Sequence, residues 1–138
     1  MINAHARGEW QCGLGDTRSC PSAAAARRRI PTKDGARLLQ LTEGALKEKN
    51  QAGAAALVHR YGELGHPARP VFDLLLRYAV SEDGALHAEK YYRTVTEEFE
   101  ATRPAFRWRH LVALARVTAS ECGQTAPGYA EARQLLKL

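Results

Sequence analysis

From residue 31 onward the chain is cut into stretches of helical period by proline, glycine and capping residues, and no stretch alternates apolar with polar as a strand would. That punctuation predicts an all-α fold of five or six helices in an antiparallel or orthogonal array. Thr32 can cap a helix over 34–49 that carries Leu38, Leu39, Leu41 and Leu46. Asn50 can cap a second over 51–63, which stops at Gly65-His66-Pro67. Pro70 suits the first turn of a third, over 70–81. Ser81 or Asp83 can cap a fourth over 84–101. Pro104 opens a fifth over 104–121, which Gly123 closes, and Pro127 precedes a short sixth over 128–137. The short connections predict helical hairpins, one over 51–81 and one over 84–121.

The stretches differ in polarity. Between Val71 and Val80 only Asp73 and Arg77 are polar; they lie four apart and invite an ion pair along one thin stripe. Such a helix needs cover on several sides. Leu111–Ala119, interrupted only by Arg116 and Thr118, reads the same way, so these two helices are expected at the centre. The fourth is amphipathic, with Ala88, Tyr92, Val95 and Phe99 on one face. Glu89, Arg93, Glu97 and Glu100 face water, with i,i+4 pairs expected at Glu89–Arg93 and Arg93–Glu97.

Residues 1–32 read differently: glycines, scattered charges and no period. They are expected to form a disordered basic tail ahead of a single helical domain over 33–138. A misplaced start codon or a truncated gene would also produce such a stretch. The 138 residues carry a net charge of +5, of which residues 1–33 hold +4. The helical part is therefore nearly neutral, and nucleic-acid binding is expected, if anywhere, only through the tail and its Arg27-Arg28-Arg29 run. Hydrophobic residues at 45% and charged residues at 25% are ordinary globular values. No apolar run approaches the ~20 residues of a membrane span. The three cysteines, Cys12, Cys20 and Cys122, are too few and too scattered for a disulfide scaffold, and no apolar signal stretch precedes them. These features predict free thiols and a cytoplasmic location.

No dinucleotide, phosphate-loop, zinc-protease or nucleophile-elbow signature occurs. One Glu-x-x-His match, Glu63–His66, stands where Gly65 and Pro67 end a helix, and a di-iron site needs two such pairs. It reads as two surface residues. His59 is expected on the solvated face beside Arg60 and Glu63. His87 falls at the border of the fourth helix's apolar face, in one row with Tyr91, Thr94 and Glu98. On the fifth helix His110 sides with Phe106, Leu114 and Val117, and Arg107 with Leu111 and Thr118. A cation turned inward in a first helical turn opposes the dipole unless an anion meets it. Glu98, Asp73, the C-terminus or a bound carboxylate or phosphate could be that anion. The candidate ligand-binding residues are thus His87, Tyr91, Arg107 and His110, between the fourth and fifth helices. Arg103, Arg107, Trp108, Arg109 and His110 also form a basic cluster interleaved with an aromatic, a composition that can stack on single strands.

The stretch from Asp73 to Tyr92, with Arg103–Ser120 after it, resembles the C-terminal helical part of larger bacterial multi-helical proteins, some of which carry a Rieske-type iron–sulfur domain. The resemblance spans about residues 35–137. A Rieske centre needs paired Cys-x-His and Cys-x-x-His elements, and neither is present. What the resemblance implies is a helical accessory part without the redox centre. The reading that follows is a non-catalytic packing or interaction module without cofactor or metal. It would be completed by a protein partner or by a second copy of itself. A metal- or anion-binding helical enzyme is the alternative.

Overall fold

A computed structural model describes residues 30–81, 88–124 and 128–137. Among them are six helices and no strand: α1 (Gly35–Lys47), α2 (Gln51–Glu63), α3 (Arg69–Ala79), α4 (Ala88–Ala101), α5 (Pro104–Glu121) and α6 (Tyr129–Leu136). The fold is all-α, as the punctuation predicts. The expected tail lies outside the described residues apart from its last three. Of these, Ile30 is half-buried against the core. The cap of α1 is Asp34 rather than Thr32: its carboxylate accepts from the Ala36 N–H, while the Thr32 hydroxyl accepts from the Asp34 N–H. Asn50 caps α2 by accepting from the Gly53 N–H. Gly65, at φ +75°, takes the left-handed turn that ends α2.

Of the two expected hairpins, the one made of α4 and α5 forms and the other does not. α1 and α2 run antiparallel, α2 packs antiparallel on α5, and α4 and α5 form the second hairpin. The direction of α2 against α5 shows in two contacts. Arg116 reaches Gln51 at one end, and Trp108 meets Tyr61 and Gly62 at the other. α3 crosses to pack on α1, α4 and α5, and it lies parallel to α1. There is no hairpin over 51–81.

α2, not α3, is the central partner of α5. Ala54, Ala55, Ala56, Leu57, Val58 and Tyr61 are all buried on it. Small residues let neighbouring backbones approach from more than one side, yet they weigh little in an apolar pattern. α3 buries only Val71, Leu74 and Leu75; Leu76 is 37% exposed, and Val80, the residue that caps its end, 68%. On α5, Leu111, Leu114, Ala115 and Ala119 are buried. The amphipathic reading of α4 holds: Tyr92, Val95 and Phe99 pack against the core.

A chain of aromatic rings joins the layers. Tyr61 and Trp108 stand 6.1 Å apart, Trp108 and Phe99 6.1 Å, Phe99 and Phe72 5.2 Å, and Phe72 and Tyr92 6.0 Å. Most meet edge to face, the arrangement the ring quadrupole favours. Trp108 lies so close to α2 that a Cβ at Gly62 would come 2.5 Å from its ring.

The surface pairs also depart from the expected pattern. Asp73 bonds Arg69 at 2.7 Å, not Arg77. Arg77 crosses instead to Glu43 on α1 at 3.5 Å, and Glu43 also takes Lys47 at 3.2 Å. The hydrogen bond from Lys47, with both nearby cations, holds the Glu43 carboxyl below its usual range. Arg93 pairs with Glu97 at 3.0 Å.

Two contrasts test this packing. Gly62→Ala gains helix propensity but drives a methyl into the indole, so it should destabilise the fold by about 1–3 kcal/mol in urea unfolding. Leu75→Ala should cost about 2–5 kcal/mol, and Leu76→Ala, at its partly exposed neighbour, clearly less, about 1 kcal/mol.

Candidate functional site

The antiparallel α4–α5 hairpin distributes the candidate residues over both of its ends. Tyr91 sits in the first turn of α4, 48% exposed, and faces Leu114, Val117 and Thr118 of α5. Arg107 and His110 belong to the other end, opposite Phe99 and Thr102. Tyr91 and Phe99 are eight residues apart on one helix, or roughly 12 Å at 1.5 Å per residue. The structure therefore does not bring Tyr91 together with Arg107 and His110. His87 lies outside the described residues.

At the α5 end each basic side chain is met by an element of the fold. Arg107 is exposed, and its guanidinium lies 5.2 Å from the centroid of the Phe99 ring. An aromatic face, not an anion, is what meets this cation. Arg109 stacks likewise over Phe106 at 4.8 Å. The half-buried His110 shares a hydrogen bond of 3.0 Å between its Nε2 and the Thr102 hydroxyl, which ties the second turn of α5 to the end of α4. Trp108, the aromatic interleaved in that basic cluster, packs against Gly62 and Phe99. Its ring is not presented for stacking on bases.

At the other end, Tyr91, Tyr78, Glu121 and the free thiol of Cys122 border a crevice of about 10 Å³. That is at the lower limit for a single water molecule and far below a ligand cavity. Tyr78 and Cys122 escape the sequence reading because they come from α3 and the end of α5, which meet only through the crossing of α3.

Two histidines outside this hairpin have structural partners. His66 does not stand free at the surface: its ring lies 4.7 Å from that of Tyr61, and its Nε2 bonds the Lys33 carbonyl at 3.0 Å. This fastens the segment entering α1 to the end of α2. His59 is within 3.4 Å of Glu63, which also takes Arg60 at 3.6 Å. The Glu63–His66 pair of the sequence is therefore split between different partners. Among the described residues no group of three or more His, Cys, Asp or Glu side chains is placed to hold a metal ion.

An open groove of about 320 Å³ runs between α1 and α2 and borders Leu41, Gly44, Ala56 and Leu57. Sequence reading missed it; the signal was Gly44 in the interior of a helix. Among the described residues no helix is long and apolar enough to cross a membrane. Compared with family models, with curated proteins and with solved structures, the chain has no match.

Burial raises the phenol of Tyr61 above its ordinary 10.0, and the same cause leads at Tyr78 and Tyr92. The folded state thus keeps these protons at a pH where the unfolded chain releases them. Stability should be level below about pH 10 and fall as pH rises through the folded-state values. Melting temperature followed alongside phenolate absorbance checks this; Tyr61→Phe should shrink the alkaline drop.

Proposed function

We propose that the chain is a non-catalytic helical interaction module whose surface is completed by a second copy of itself. The observation that carries this is α6. It has eight residues and buries none of its described side chains, with Leu135 81% and Leu136 66% exposed. Isolated helices shorter than about 12–15 residues are marginal in water, so such a helix draws its stability from a surface it packs on. The end of α3 offers one: Val80, its C-cap, is 68% exposed, and Leu76, one turn earlier, is partly exposed. α6 of one copy on that surface of the other, and the reverse, closes as a two-fold pair.

Sedimentation velocity of the full chain over a wide concentration range tests it. Wild type should pass from monomer to dimer. The double variant Leu135→Ser, Leu136→Ser should remain monomeric with the circular dichroism of α1–α5 unchanged. A wild type that stays monomeric at every concentration, with α6 amides exchanging as fast as those of a free peptide, overturns the proposal.

A further inference from the structure

Four glycines stand inside helices among the described residues: Gly35, Gly44, Gly53 and Gly62. Three have a visible reason. A Cβ at Gly62 would strike Trp108, one at Gly53 would come 2.6 Å from the Asn50 side chain, and one at Gly35 would press on His66 at 3.2 Å. At Gly44 an added Cβ meets nothing within 4 Å. Glycine is the least favourable residue in a helix interior after proline. Its usual structural use is to let another backbone come close. Within the described residues nothing comes close to Gly44, and it opens onto the groove between α1 and α2.

The groove is shaped for a narrow occupant. Gly44, Ala45, Gly53 and Ala56 are small, and Leu41 and Leu57 add the larger apolar surface. Ile30 lines it as well. Lys33 is held past the end of α2 by His66, and three residues earlier Ile30 lies against the groove, so the chain followed backward from α1 is already travelling down it. Seven further extended residues reach about 23 Å, against about 20 Å for the whole of α1. The carboxylate of Glu48 stands at the rim, with no ion-pair partner among the described residues. The residues next upstream of Ile30 are Arg29, Arg28 and Arg27, preceded by Ala23–Ala26.

We propose that the groove seats the chain's own residues 23–29, which continue the path of Ile30 with their main chain over Gly44 and the arginines at Glu48. The covalent tether keeps this segment at a high effective concentration, so modest contacts suffice. This surface is separate from α6 and α3, and the inference stands whether or not the chain forms pairs.

Trypsin supplies the test, because its targets Arg27, Arg28 and Arg29 lie in the proposed segment. Mass spectrometry follows cleavage there in the folded full chain and in a free peptide of residues 20–33. Seating should slow cleavage by about tenfold relative to the peptide, since cutting follows the unseated fraction. Gly44→Leu fills the groove where a side chain meets no protein atom, and it should restore the peptide's rate. Glu48→Gln should restore part of it. If Gly44→Leu does not fold, Leu41→Gln takes its place. Wild type cut at the peptide's rate, or equal protection in the groove-filling variant, overturns the proposal. Protection that grows with protein concentration also overturns it, because the occupant is then a segment of another copy.

Discussion

Trp108 lies across the backbone of α2 at Gly62, and the rest of the helical arrangement depends on that contact. The indole belongs to the second turn of α5, and the glycine is one residue from the end of α2. Their close approach makes α2 and α5 antiparallel neighbours over their whole length, with Arg116 and Gln51 meeting at the far end. Phe99 packs on the indole's other side and brings α4 with it; Phe72 on Phe99 brings α3. Tyr61 extends the chain of rings to His66, whose bond to the Lys33 carbonyl fixes the entry to α1. One ring against one missing side chain thus sets the position of five helices.

That arrangement also decides what the basic end of α5 can do. Four of the first seven residues of α5 are Phe106, Arg107, Trp108 and His110, a composition that on an open surface suits anions or unstacked bases. Here Trp108 is given to α2, Arg107 to the face of Phe99, and His110 to Thr102. A cation over an aromatic face resolves the conflict between an inward-leaning arginine and the positive end of a helix without an anion: the guanidinium stays in water while its plane covers apolar surface. The same residues that look like a recognition surface in sequence are the joint between two helices in space.

Much of the fold was legible because its signals are local. Asn50, Pro104, Gly65 and Gly123 mark helix ends through backbone chemistry that needs no tertiary context, and α2 and α5 begin where those residues place them. The apolar face of α4 was legible through its period. What was hidden is which helices touch. The run from Val71 to Val80 looks central because leucine and valine dominate any apolar pattern, yet Leu76 and Val80 face outward. Ala54–Ala56 look unremarkable, yet they sit at the centre, because closeness of approach depends on how little a side chain occupies. The candidate site suffered in the same way. His110 and Tyr91 were placed on the correct helices by period alone, but an antiparallel pair sends the start of one helix to the end of the other, and that separation is invisible to a helical wheel. Asp73 bonded backward to Arg69 rather than forward to Arg77 because Glu43 on α1 takes Arg77, a competitor from another helix.

The helical glycines carry the packing information that the large residues do not. A glycine inside a helix costs conformational entropy and leaves backbone exposed, so it persists where something occupies the space its side chain would fill. At Gly35, Gly53 and Gly62 the occupant is an imidazole, a capping amide and an indole. Each marks a junction: the entry to α1, the start of α2, and the contact of α2 with α5. By the same reasoning Gly44 marks a fourth junction, the one whose second member lies beyond the described helices. Ile30 lines the same groove. A helix pair that is closed on its inner side by leucines and left smooth on its outer side by Gly44, Gly53 and Ala56 is built to receive a strand of backbone, and the nearest backbone is the one already attached to it.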